Sequence, residues 1–175
     1  WWMLRAVGHE SVALLDGGWA AWMRAGGAVE LPVQPLRSGR YEARPGSGWV
    51  TGAGLLQELA SGACLLVDGR SAERFRGEQE PIDPVAGHVP GALNRPYTDN
   101  LARDGTFVGA ARLRSQWAAL LNGRTPGAVV HMCGSGVTAC HNLLAMEIAG
   151  LSGSRLYAGS WSEWIADVTR PVAVG

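Results

Sequence analysis

The loop at residues 133–138, which reads CGSGVT, combines residue types that can do chemistry. It follows an apolar run that predicts a buried strand at 127–132 and precedes a predicted helix at 137–149. Gly134 and Gly136 permit backbone angles that other residues avoid, so the loop can turn its N–H groups toward one point. Such amides, together with a helix N-terminus, favour a thiolate over a thiol. We therefore predict that Cys133 is a nucleophile.

Other interpretations of the loop are possible. A strand-to-helix turn can also bury an ordinary cysteine, but the glycine pattern and chain position favour the nucleophile. Cysteine-dependent phosphatases close a similar loop with an arginine six positions after the cysteine, where this chain has Ala139. Without that arginine, phosphoryl transfer lacks its main charge clamp. Cys64 and Cys140 lie within a predicted strand and helix and are expected in the core, and the cysteine spacing predicts no metal site.

Composition limits the classes of partner. Fifteen basic and fifteen acidic residues cancel, which predicts no binding to nucleic acid or to an anionic membrane. Every basic residue is an arginine, so anion recognition depends on guanidinium groups. The apolar runs are too short to span a bilayer. Three cysteines without a disulfide framework favour a reducing compartment, and we expect a cytoplasmic protein.

The chain contains an internal repeat. Residues 4–22 align without gaps with residues 146–164, at a constant offset of 142 residues, which is about the size of one domain. Each copy predicts a helix end, a short strand, a glycine turn and a Trp-x-x-Trp helix. Chance alignment is the alternative, which the single ungapped frame disfavours. The matching pairs are Gly8 and Gly150, Leu14 and Leu156, Gly17 and Gly159, Trp19 and Trp161, and Trp22 and Trp164.

This repeat predicts the domain organisation. Residues 1–30 are expected to be the C-terminal remnant of a preceding domain copy, followed by an irregular linker at 31–48. Residues 49–175 are expected to form one complete domain. The start at Trp1, without an initiator methionine, leads us to expect that the biological chain begins earlier, which leaves a signal peptide open.

Strands and helices alternate through the complete domain. This order predicts an α/β fold, with a parallel sheet covered by helices on both faces. In such sheets the site lies at the carboxyl ends of the strands, where Cys133 and residues 68–70 both fall. Strands are predicted at 64–67, 127–132 and 155–157, and helices at 51–61, 71–76, 110–122, 137–149 and 161–166.

Four segments resemble the rhodanese superfamily. They are VDGRSAERFRG at 67–77, GHVPGALNRP at 87–96, CGSGVTA at 133–139 and LLDGGWAAW at 14–22. The loop CGSGVTA is similar to that of tandem-domain 3-mercaptopyruvate sulfurtransferases, whereas thiosulfate sulfurtransferases carry a more basic loop. In this family the second domain carries the catalytic cysteine, so the resemblance implies the same two-domain layout as the repeat.

The resemblance also implies a reaction. Cys133 would take sulfane sulfur from 3-mercaptopyruvate or thiosulfate, become a persulfide, and pass the sulfur to a thiol or cyanide, without a metal or organic cofactor. Ser135 would help to polarise the substrate, and Arg74 would bind the carboxylate or sulfonate of the donor. His88 and the pair Asp68 and Arg70 are expected to be structural. The sulfur anion would be held by backbone amides of Gly134, Ser135, Gly136, Val137 and Thr138.

Two points stay open at this stage. Where animal mercaptopyruvate enzymes carry a second substrate arginine, residues 78–84 read EQEPIDP and offer no cation, so the donor is undecided. A hypothesis from another class is a non-catalytic sulfur-carrier or protein-interaction module. The resemblance further implies that a missing first rhodanese domain packs on residues 1–30.

Overall fold

The structure is a computed structural model that describes residues 1–31, 35, 38–44 and 46–175. The predicted linker at 31–48 lies partly outside the described residues. Contacts divide the chain into two units, one of residues 1–47 with 101–107 and one of residues 48–100 with 108–175. The units are described separately.

The first unit contains two short helices, α1 (Trp2–Ala6) and α2 (Gly18–Arg24). The Asp16 carboxylate accepts a hydrogen bond of 2.8 Å from the Phe107 amide, which ties residues 101–107 to this unit. The short strand predicted within the first repeat copy does not form in the described residues 1–31. The physical reason is that a strand needs a neighbour for its backbone hydrogen bonds, and none of the described residues forms a ladder with this segment.

The second unit is built on a five-stranded sheet in the order β1-β5-β4-β2-β3, with every neighbouring pair parallel. Its central strand, β4, is buried along its whole length, which explains its apolar run. The predicted α/β class and parallel sheet are confirmed. The strands are β1 (Trp49–Val50), β2 (Leu65–Asp68), β3 (Leu93–Asn94), β4 (Val129–Met132) and β5 (Arg155–Tyr157).

Five α-helices surround the sheet: α3 (Gly52–Ser61), α4 (Ala72–Phe75), α5 (Ala110–Leu121), α6 (Ala139–Ile148) and α7 (Ser160–Trp164). Single turns of 3-10 helix form at Tyr97–Asn100 and Pro126–Ala128. The Thr51 hydroxyl caps α3 by accepting the Gly54 amide at 3.2 Å. Helix α6 begins two residues later than predicted, because Val137 and Thr138 belong to the loop that carries Cys133.

Helices cover both faces of the sheet. On one face Leu66, Val130 and Tyr157 form a core with residues of α3, α4 and α7. On the other face the His131 ring lies 5.5 Å from the Trp117 ring of α5 and 3.2 Å from the Met146 sulfur of α6. The carboxyl ends of β2 and β4 therefore emerge between two packed layers, which holds the residues that follow them in place.

The two repeat copies share local backbone geometry. Gly8 and Gly150 adopt left-handed φ angles of 84° and 68°. Each glycine ends a helix, because the amide of the residue after it donates a hydrogen bond to the carbonyl five positions before that donor. The distance is 2.8 Å after Gly8 and 2.9 Å after Gly150. Gly18 and Ser160, at equivalent positions, have φ of 61° and 52°. These matches support the repeat, while the domain boundaries stay a prediction.

We expect Leu66→Ala to lower the free energy of unfolding by about 2–5 kcal/mol, because Leu66 is fully buried at the centre of the core and its removal leaves a cavity. Val168→Ala is the control, since Val168 is 94% exposed and its loss should change stability by less than about 0.5 kcal/mol. Urea unfolding followed by Trp fluorescence measures both changes. Equal losses of stability in the two variants would contradict this core.

Candidate active site

A cavity of about 190 Å³ lies where the loop after β4 meets the segment after α4. Cys133, only 2% exposed, lies in its wall. The structure therefore brings together the predicted site residues, except Gly136, which shapes the loop. It also adds three residues that the sequence did not reveal, namely Ile82, Asp83 and Ser162. The lining residues are Arg74, Ile82, Asp83, Cys133, Gly134, Ser135, Val137, Thr138 and Ser162.

Gly136 is required by the geometry of the loop. Its φ is 81°, a conformation that side chains disfavour. A Cβ atom placed on it would lie 2.5 Å from the carbonyl oxygen of Ala158. A side chain here would push the loop away from the segment that follows β5.

The backbone of Cys133 is fixed by the residues that begin α7. The Cys133 amide donates to Ser160 Oγ at 3.1 Å, and the Cys133 carbonyl accepts the Trp161 amide at 3.0 Å. The Gly134 carbonyl accepts the Ser162 amide at 3.0 Å. Sequence reasoning missed Ser160 and Ser162. The only signal for them was their place directly after a predicted strand in the repeat.

The loop leaves a row of donors beside Cys133. Among the described residues, the backbone N–H groups of residues 134–138 have no protein acceptor. Unpaired amides next to a helix N-terminus favour a bound anion. The loop can therefore stabilise negative charge on sulfur with backbone groups alone.

Arg74 lies at the cavity but is already paired with carboxylates. Its Nε and Nη2 atoms donate to the two carboxylate oxygens of Glu80 at 3.1 and 2.6 Å, and Nη2 also donates to Asp83 at 3.2 Å. Burial would raise the pKa of Glu80, but hydrogen bonds from Arg74 and from the amides of Asp83 and Ile82 outweigh it and hold that pKa below its ordinary value. Arg74 therefore presents a largely neutralised cation to the cavity.

Arg70 extends this arrangement into the core. It binds both Asp68 carboxylate oxygens through its Nε and Nη2 atoms, with Nη2 at 2.7 Å, and its Nη1 lies 3.3 Å from Glu80. The predicted pair of Asp68 and Arg70 is thus present. We call the series Asp68, Arg70, Glu80, Arg74 and Asp83 the charge chain. With three carboxylates and two guanidinium groups, it carries a formal charge of −1.

Two histidines near the sheet are engaged elsewhere. The protonated Nδ1 of His88 donates to the Phe75 carbonyl at 2.8 Å, and the two rings stack with centroids 3.8 Å apart. This contact suits the structural role expected for His88. Complete burial lowers the pKa of His131 to about 3, so its ring is neutral at physiological pH.

The other cysteines are poor nucleophiles in this environment. Burial, and secondarily the nearby Cys133, raises the pKa of Cys140 to about 11. Its thiol donates to the Gly136 carbonyl at 3.4 Å, so Cys140 supports the loop from α6. Burial also raises the pKa of Cys64. All three cysteines are free thiols.

Within the described part of the chain, no group of three or more His, Cys, Asp or Glu side chains is placed to hold a metal ion. None of the described helices has the length and apolar character needed to cross a membrane.

Comparison with known proteins places these features in a family. The sequence profile of the Rhodanese-like domain matches residues 51–167. The chain belongs to the rhodanese family. It is 50% identical to a probable 3-mercaptopyruvate sulfurtransferase of Pseudomonas aeruginosa and 41% identical to a putative thiosulfate sulfurtransferase of Mycobacterium tuberculosis, each match covering all of this chain. It is also 36% identical to human 3-mercaptopyruvate sulfurtransferase, over 94% of this chain.

The rhodanese chain is shorter than these relatives, for it spans 62% of the length of the two bacterial proteins and 56% of the human one. A solved structure with the same fold is that of the anaerobic ergothioneine biosynthesis enzyme from Chlorobium limicola. The TM-score is 0.85 at 23% identity, over 99% of this chain and 44% of that chain. At this identity the likeness shows the fold.

We expect iodoacetamide at pH 7.5 to modify Cys133 well before Cys140. With a pKa of about 11, only about one Cys140 thiol in three thousand is ionised at that pH, and the thiolate is the reactive form. Peptide mapping by mass spectrometry measures both rates, and the rate at Cys140 should rise as the pH approaches 11. Preferential labelling of Cys140 at pH 7.5 would contradict this assignment.

Proposed function

We propose that this rhodanese is a sulfurtransferase that moves sulfane sulfur from 3-mercaptopyruvate or thiosulfate to a thiol or cyanide through a persulfide on Cys133. The observation that carries the proposal is the row of unpaired amides at 134–138 beside a cysteine that faces a cavity. The relatives named as sulfurtransferases support it, two of them matching along the whole chain.

In the first half-reaction the Cys133 thiolate attacks the transferable sulfur of the donor and forms an S–S bond. With 3-mercaptopyruvate, the C–S bond breaks and its electron pair leaves on carbon as the enolate of pyruvate, which then takes a proton. With thiosulfate, the S–S bond of the donor breaks and sulfite leaves. In the second half-reaction a thiolate or cyanide attacks the outer sulfur, and the electron pair of the persulfide bond returns to Cys133.

The loop supplies stabilisation in both half-reactions. Negative charge lies on the Cys133 sulfur before the first half-reaction and returns to it at the end of the second, next to the amides of residues 134–138. Fixed dipoles stabilise such charge without having to reorient. Ser135, Val137 and Thr138 line the cavity with this backbone. We assign the polarisation of the donor to the Ser135 hydroxyl. The backbone of Gly134, Gly136 and the other lining residues of the loop would bind the donor sulfur.

Charge in the cavity favours one donor. Arg74 is the cation that lines it, and we assign it the binding of the carboxylate of the donor. Because the charge chain carries a formal charge of −1, a dianion meets more repulsion than a monoanion. Thiosulfate is a dianion and 3-mercaptopyruvate carries one carboxylate. The site therefore favours 3-mercaptopyruvate, the donor in the name of the Pseudomonas relative.

We also propose that a preceding rhodanese domain packs on residues 1–30. Apolar side chains of the first unit are exposed, whereas their equivalents in the second repeat copy are buried, which indicates that the first copy needs a cover of the same kind. The contrasting pairs are Leu4 at 45% and Met146 at 0%, Leu14 at 53% and Leu156 at 2%, and Trp19 at 62% and Trp161 at 0% exposed.

The three free thiols support a reducing, cytoplasmic location.

We expect Cys133→Ser to abolish thiocyanate formation from either donor, because a hydroxyl cannot form a persulfide. Cys64→Ala and Cys140→Ser are the matched controls and should retain activity, since the serine keeps a donor for the Gly136 carbonyl. Intact-mass measurement after incubation with each donor should show one added sulfur on the parent protein and none on the Cys133 variant. An added sulfur without thiocyanate formation would instead indicate a sulfur carrier, and transfer by the Cys133 variant would refute the mechanism.

We expect Asp83→Asn and Arg74→Gln to move the KM for thiosulfate in opposite directions. The Asn variant frees Arg74 from one carboxylate and should lower KM about fivefold, since a partly exposed charge contact contributes about 1 kcal/mol. The Gln variant should raise KM by at least as much. Steady-state kinetics measure both effects.

Glu78→Gln is the control for this pair of variants. Glu78 lies in the same segment, but its partner is the exposed Arg76, so its removal should leave KM unchanged. If the KM for thiosulfate changed in the same direction in the Asp83 and Arg74 variants, the two residues would act only on the fold of the segment.

A further inference from the structure

Ser160 has a backbone conformation that its residue type does not favour. Its φ is 52°, it is completely buried, and side chains rarely adopt such an angle. The equivalent residue of the first repeat copy is Gly18, with φ of 61°. Glycine suits this turn, and yet the second copy has a serine. The serine hydroxyl is therefore what distinguishes this turn from its equivalent in the first copy.

The hydroxyl joins the end of a strand to the nucleophile. Ser160 Oγ donates its proton to the carbonyl of Tyr157, the last residue of β5, at 3.0 Å. A lone pair of the same oxygen accepts the Cys133 amide at 3.1 Å. Both bonds are buried, so water does not compete for either partner.

This bond acts together with two others to set the direction of the loop peptides. The carbonyls of Cys133 and Gly134 accept the amides of Trp161 and Ser162, both at 3.0 Å. In a planar trans peptide the N–H points opposite to the C=O. With both carbonyls turned toward α7, the N–H groups of Gly134 and Ser135 point away from it, as an anion-binding loop requires.

We propose that Ser160 is a positioning residue for Cys133, whose hydroxyl holds the first peptide of the loop so that the following amides face the cysteine sulfur. The proposal concerns the reactivity of the site put forward above and rests on that function for its catalytic consequence. Ser160 itself is absent from the cavity wall and therefore acts through Cys133.

The decisive variant is Ser160→Gly, because glycine accepts the backbone angle and removes the hydroxyl together with the Cβ that bears it. We expect the pH at which Cys133 alkylation by iodoacetamide is half-maximal to rise by about one unit, since a buried amide that loses its partner drives local rearrangement. At pH 7 the kcat/KM for 3-mercaptopyruvate should fall about tenfold, mainly through kcat. Ser160→Ala should show the same changes.

Ser152→Ala is the control, since it removes an exposed hydroxyl that donates to Glu147. It should leave the alkylation profile and the activity unchanged. An alkylation profile of Ser160→Gly identical to that of the parent protein would overturn the proposal, whatever the activity. A Ser160→Gly variant whose circular dichroism spectrum shows that it does not fold would also overturn the proposal, because the hydroxyl would then be needed for the fold of the whole unit.

The alkylation test of Ser160 is independent of the activity test of the proposed function. Alkylation requires no sulfur donor, so it tests Ser160 even if this chain transfers no sulfur. Transfer by the Cys133→Ser variant would refute the function and leave the alkylation result to decide the role of Ser160.

Discussion

The buried guanidinium of Arg70 constrains the whole neighbourhood of the site. A charge that is only 3% exposed is stable only if paired and hydrogen-bonded. Its partners come from three segments, namely Asp68 at the end of β2, Glu80 and the Gly87 carbonyl after α4, and the face of Trp161 in α7 at 4.6 Å. One charge therefore fixes together several of the segments that surround the Cys133 loop.

The same kind of constraint applies to Cys133, the proposed nucleophile. The chain has no lysine, His131 and His88 are engaged in the core, and Arg74 is already paired with carboxylates. Stabilisation of a thiolate is therefore assigned mainly to oriented peptide dipoles. Dipoles that are already oriented need no rearrangement when charge develops. The Cys133 loop gains this order from contacts on both sides, with α7 holding its carbonyls and Cys140 of α6 bonding Gly136. Binding and reactivity are consequently properties of the backbone as much as of side chains.

The sequence predicted the elements that have a clear local pattern. The structure differs from the prediction where contacts between residues far apart in the chain decide the conformation. Strands β2 and β4 were visible as buried apolar runs, but β1 and β3 are two residues long and have no periodicity. Glu80 looks like a solvated charge in sequence, because its partners are fixed only by the fold. Ser160 lies 27 residues from the cysteine that it holds, beyond the reach of any local motif.

That separation has a consequence for biosynthesis. The chain is made from its N-terminus, at about 5–20 residues per second, so Cys133 is synthesised well before the turn that begins α7. Until that turn emerges from the ribosome, β4 lacks the neighbouring strand β5, and the cysteine lacks the contacts that orient its peptide. The nascent chain thus carries an unformed thiol loop, and the loop around Cys133 is completed only after β5 and Ser160 have been delivered.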